Sequence, residues 1–184
     1  MEQLNPSARR DQFGSKINRD HSPVLSHGVP WAIILLACMS PLLPIIASAP
    51  LVPPLGYMFL LGWRVLRPGI LPLWTGLPIG LFDDMFSGQP LGSGALLFSL
   101  TMIAIDLIEM RFPWRGFWQD WGVASIFLAL YLALAAIFSG ASLSLVQFTL
   151  ILPQLALSIL IFPLVAQLVS LLDRFRLKRV RRFG

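Results

Sequence analysis

The sequence predicts an all-α integral membrane protein, a six-span helical bundle with both termini cytoplasmic. Three observations predict it. Of 184 residues, 56% are hydrophobic and 12% charged, about half the charged share of an ordinary soluble domain. The apolar residues fall in six runs joined by short connections, which leaves no soluble block long enough to hold a core of its own. All fourteen Lys and Arg residues lie on alternate connections, the distribution expected of cytoplasmic loops. The formal net charge of +5 is therefore a matter of topology and does not point to nucleic acid.

Residues 1–30 carry Arg9, Arg10, Lys16 and Arg19 against Glu2, Asp11 and Asp20 among Asn, Ser, Gly and Pro, and read as a disordered cytoplasmic arm. They do not form a secretory signal, since a largely polar stretch precedes the first apolar run and no small-residue cleavage site closes a short hydrophobic core. His21 and His27 in this arm read as solvated residues rather than as a metal pair.

The polytopic domain, 31–172, contains the runs Trp31 to Ala49, Leu51 to Trp63, Ile70 to Phe86, Leu91 to Ile108, Trp121 to Phe138 and Leu145 to Leu172. A helix needs about 20 residues to cross hydrocarbon, so the second run is short and the last long. Pro41, Pro44, Pro50, Pro53 and Pro54 interrupt the first two, which read either as two kinked spans or as a re-entrant hairpin. If the passes start inside, the cytoplasmic pieces are 1–30, 64–69, 109–120 and 173–184; these hold four, two, two and six basic residues, and the opposite connections none. Trp31, Trp63, Trp114, Trp118 and Trp121 fall at the same edges, as an interfacial belt requires.

Charge inside the apolar pattern is concentrated at Asp83 and Asp84, near the turn between the third and fourth runs. Ionisable groups this close to hydrocarbon are costly and need a reason. Three remain open: capping of a tight turn by the fourth helix's N-terminal amides, with Pro90 opening that helix; contact with a partner's extracytoplasmic segment; and an ion or proton site. Adjacent helical residues point about 100° apart, so one carboxylate is expected to face the bundle and the other headgroups or water. Gly88, Pro90 and Gly92 complete this candidate partner-binding turn.

Catalysis lacks parts. Asp106 and Glu109 lie a membrane thickness from Asp83 and Asp84 in this topology, so the pairs cannot meet as protease carboxylates, and local pairing with Arg111 and Arg115 is expected instead. No histidine lies within a span, and no serine there has a base, so no catalytic residue, metal or cofactor is expected. The single cysteine, Cys38, reads as a small packing residue.

Gly76 and Gly80 are four apart, with Pro78 between them expected to kink the helix, and Gly94 and Ser99 extend a small-residue strip along the fourth run. Close helix packing is the favoured reading. The tail, 173–184, places Arg174, Arg176, Lys178, Arg179, Arg181 and Arg182 beside a membrane exit, suited to anionic lipid or to a cytoplasmic partner.

At the central stretch, Gly80-Leu81, Asp84, Ser87-Gly88 and Leu91-Gly92 resemble the pattern of the MreD family of rod-shape-determining proteins. Looser resemblance extends along the chain through the number of spans, Pro163 in the last run and the basic tail. Asp83 stands where the family is more often apolar, and the N-terminal arm is longer than many members carry, so Asp84 is the residue carried over. The resemblance implies a non-enzymatic component of the elongation machinery in the bacterial inner membrane. Its implied partners are MreC and, indirectly, MreB and the peptidoglycan synthases. The contrasting reading is a substrate-binding membrane subunit of an energy-coupling-factor vitamin transporter, a likeness of architecture alone, with its site near Gly76 to Gly92.

Overall fold

The structure is a computed structural model that describes residues 23–42, 52–112, 116–140 and 145–176. Most of the arm, the residues 43–51, and the tail basic residues Lys178, Arg179, Arg181 and Arg182 lie outside the described residues. The described chain is all-helical: α1 (Pro23–Cys38), α2 (Leu55–Leu66), α3 (Gly76–Ser87), α4 (Ser93–Arg111), α5 (Phe117–Phe138) and α6 (Leu145–Arg176). Among the described residues three helices are long and apolar enough to cross a membrane: α4, α5 and the stretch Ile151–Phe175 of α6. Helices α2 and α3 have 12 residues each, about 18 Å at 1.5 Å per residue, against about 30 Å of hydrocarbon.

Several boundaries differ from the apolar runs, each for a local reason. Helix α1 begins at Pro23, so the end of the expected arm is helical. The run from Ile70 starts not as α-helix but as a turn and a 3-10 segment at Leu73–Thr75, where the Thr75 hydroxyl donates to the Pro72 carbonyl at 2.7 Å. As a result Pro78 falls in the first turn of α3. An amide there has no intrahelical acceptor to lose, so the expected kink does not arise. Pro90 does not open α4; it lies in the preceding turn, and the helix starts at Ser93 with Gly92 as its N-cap.

The short helix α2 is the centre of the molecule. Tyr57, Met58, Leu60, Leu61, Trp63, Arg64 and Val65 are all buried, because α1, α4, α5 and α6 surround it. Its partners bury an apolar core that includes Ile34, Ile79, Phe98, Met102, Leu128 and Val169. The outward faces of α3 to α6 remain apolar, with Leu77, Leu81, Leu100, Ile126, Leu160 and Leu164 all exposed, as a lipid-facing surface requires.

At the end of the bundle where α2, α4 and α6 finish, ion pairs join them. Arg64, 3% exposed, contacts Asp106 at 2.5 Å and Glu109 at 3.1 Å, and Arg67 contacts Asp173 at 2.6 Å. A cation paired with Asp106 and Glu109 thus comes from α2, not from Arg111 on their own helix; Arg115 lies outside the described residues. These carboxylates face inward across the α2–α4 contact, and Arg111 is exposed.

Candidate functional site

The turn between α3 and α4 is built around one carboxylate. Gly88 ends α3 in the left-handed region at φ 69°, and Gly92 precedes α4 at φ 96°; both conformations favour a residue without Cβ. Between them the Ser93 amide and hydroxyl donate to the Pro90 carbonyl at 3.0 and 2.7 Å, closing the turn. This brings the first amides of α4 over the last turn of α3. The Gly92 amide donates to Asp84 Oδ2 at 2.8 Å and the Gly94 amide to Oδ1 at 2.7 Å, with the Ala95 amide at 3.4 Å from Oδ2. The carboxylate sits against the positive end of one helix dipole while leaving the negative end of its own. Charge-assisted bonds to amides without intrahelical acceptors favour that arrangement.

Tight packing of α3 on α4 makes this reach possible. A Cβ on Gly80 would stand 2.5 Å from the Gly94 carbonyl oxygen, one on Gly76 would stand 2.8 Å from Ser99 Cα, and one on Gly94 would stand 2.5 Å from Asp84 Oδ1. Gly76, Gly80, Gly94 and Ser99 therefore form one seam, and Asp84 closes its end. Gly88 and Pro90 are exposed on the turn, flanked by Met85 and Leu91 at 68% and 76% exposure.

Asp83 is buried as well, 7% exposed beside 4% for Asp84, which corrects the expectation that one of the two would face headgroups or water. Helix α3 is covered on two flanks, so directions 100° apart both meet protein: Asp84 meets α4, and Asp83 points between α1, α2 and α5. There Asp83 interacts with the Cys38 thiol and the Tyr131 hydroxyl. Gly56 makes room, since a Cβ on it would lie 2.4 Å from Cys38 Sγ and 2.9 Å from Asp83 Oδ1.

Sequence reasoning missed the polar groups that continue inward from Asp83. Tyr131, which also interacts with Gln89, stacks on Tyr57 with centroids 4.0 Å apart. The Tyr57 hydroxyl and Thr101 Oγ1 share a hydrogen bond at 2.8 Å, with the Leu97 carbonyl 2.8 Å from Thr101 Oγ1 and the Phe127 carbonyl 3.3 Å from the Tyr57 hydroxyl as further acceptors. One signal could have found them: the chain has two tyrosines, and both stand inside apolar runs. A buried Tyr hydroxyl needs a partner.

A shallow apolar groove of about 360 Å³, lined by Leu77, Ala95, Leu96, Ser99, Leu100 and Ile103, lies on the outside of the α3–α4 seam. Among the described residues no three His, Cys, Asp or Glu side chains are grouped to hold a metal. Arg174 is exposed near the far end of α6 beside the Arg67–Asp173 pair, and the Arg176 backbone closes that helix.

Long apolar helices, lipid-suited outer faces and polar groups confined to joints between helices define a helical membrane protein. Residues 25–175 match the family of rod shape-determining protein MreD. The chain belongs to that family, and membership gives it a role in determining rod shape. No curated protein and no solved structure matches the chain.

Proposed function

We propose that the protein is a non-enzymatic scaffold of the cell-elongation machinery that binds MreC at the α3–α4 turn and, through it, serves MreB and the peptidoglycan synthases. The observation that carries this reading is the Asp84 clamp. By tying Gly92 and Gly94 to α3, it holds residues 88–91 in one conformation while Met85, Gly88, Pro90 and Leu91 stay exposed. A surface fixed before binding loses less conformational entropy on docking. In this role Asp84 acts through the shape of the turn, and Gly88, Pro90 and the apolar residues beside them touch the partner.

The scaffold crosses the bacterial inner membrane six times with both ends in the cytoplasm. Two features support that topology: the fourteen basic residues on alternate connections, and the ion pairs that gather the C-terminal ends of α2, α4 and α6 at one end of the bundle. The short helices cross with the help of their non-helical flanks. The basic tail then lies on the cytoplasmic leaflet and binds anionic lipid.

Capture of tagged protein from membranes tests the reading. MreC is expected to copurify, with Asp84→Asn losing it more than Asp83→Asn at equal insertion. Recovery of a transport ATPase subunit and a vitamin in place of MreC would reject the scaffold.

A further inference from the structure

Helices α2 and α4 touch through two polar joints, Tyr57 with Thr101 and Arg64 with Asp106 and Glu109. From Tyr57 to Arg64 the chain climbs about 10 Å along α2; from Thr101 to the two carboxylates it climbs about 8 to 12 Å along α4. The spacings agree only if the helices run parallel in one register. Apolar side chains supply little to fix that register, because in lipid a leucine packed on a neighbouring helix and one facing acyl chains differ little in solvation. Asp106 and Glu109 also stand near the C-terminal, negative end of the α4 dipole, where carboxylates are disfavoured without a cation. Arg111 lies on the same helix but is exposed, and Arg64 places a cation at the α2–α4 contact.

We propose that Arg64 is a positioning residue that sets the axial register of α4 against the central helix. Helix α4 has 19 residues and no internal proline, so a shift at its Arg64 end is carried to its Asp84 end. Arg64 therefore governs where the α3–α4 turn stands relative to α5. Only the consequence for partner capture rests on the scaffold reading; the register itself does not.

The test is a distance measurement between spin labels in full-length protein in lipid nanodiscs, with Cys38→Ser as background. One pair, at Met110 and Leu171, reports the ion-pair end; the other, at Leu91 and Phe138, reports the turn end; all four positions are exposed. Arg64→Lys is expected to keep both distributions narrow, since the cation survives. Arg64→Met is expected to broaden both and shift their centres, as α4 slides along its axis by up to one helical turn, about 5 Å. Because that variant removes the Arg64 cation from beside two carboxylates and can fail to accumulate, Arg64→Met with Asp106→Asn and Glu109→Gln is measured beside it. That neutral variant is expected to insert in normal amount yet show the broadened distributions, which separates register from stability. Narrow, unshifted distributions in the neutral variant overturn the proposal, as does its failure to accumulate. MreC capture on the same samples separates the two ideas: a shifted turn that still retains MreC sinks the binding site at the turn and leaves the register intact.

Discussion

The indole Nε1 of Trp121 on α5 donates to the carbonyl of Ile159 on α6 at 3.1 Å, and Ile159 is the residue whose helical donor Pro163 removes. A proline within a membrane helix leaves a carbonyl at position i−4 in surroundings without water, and a neighbouring helix supplies the missing donor. Pro163 and Trp121 are therefore one feature divided between two helices.

Trp121→Phe removes the donor and is expected to destabilise the folded protein by about 1 to 2 kcal/mol. In a Pro163→Ala background the residue 163 amide again reaches Ile159, and Trp121→Phe then costs only its lost packing. A double-mutant cycle of thermal or denaturant unfolding in detergent measures the difference. Equal costs in both backgrounds would show that the indole N–H does not serve the carbonyl.

Along the α3–α4 seam, Gly80→Ala places a Cβ 2.5 Å from backbone that cannot yield, and is expected to lower folded yield strongly. Gly122→Ala on α5, where nothing lies within 4 Å, is expected to match the wild type. Size-exclusion profiles of the two variants in parallel decide the matter. A well-behaved Gly80→Ala protein would mean that the helices are further apart than described.

For the turn, Asp84→Asn retains one acceptor but loses the charge and the second oxygen. It is expected to cost about 1 to 2 kcal/mol, with faster amide exchange at Gly92 and Gly94. Hydrogen exchange read by mass spectrometry covers this segment. Protection unchanged at residues 92–95 would contradict the clamp.

Tyr57→Phe removes the hydrogen bond shared with Thr101 and is expected to cost about 1 kcal/mol, more than Tyr57→Phe in a Thr101→Val background. Thermal unfolding of the four proteins of that cycle provides the measure. Additive effects would separate the two residues.

Topology has its own test, again with Cys38→Ser. A membrane-impermeant thiol reagent applied from outside is expected to label Ser139→Cys, at the exposed end of α5, and to miss Phe112→Cys, at the exposed end of α4. The opposite pattern would invert the protein in the membrane and place the α3–α4 turn inside the cell.

Hydropathy, charge placement and turn chemistry were legible in the amino acids alone. They determined a helical membrane protein, the extents of α4 and α5 to within a few residues at each end, the Gly–Asp–Gly turn and the family to which it belongs. Each depends on near neighbours in the chain or on the side of the membrane a charge prefers. Tertiary structure decided the rest: the central place of the short α2, the burial of Asp83 and Asp84 together, the pairing of Arg64 with α4 and the service of Trp121 to Pro163. The physical reason is the solvent. Within lipid, apolar residues circle α4, α5 and α6 almost evenly, so the pattern does not say which face of them meets protein. Only the few polar side chains distinguish one neighbour from another, and their partners are brought to them by the fold.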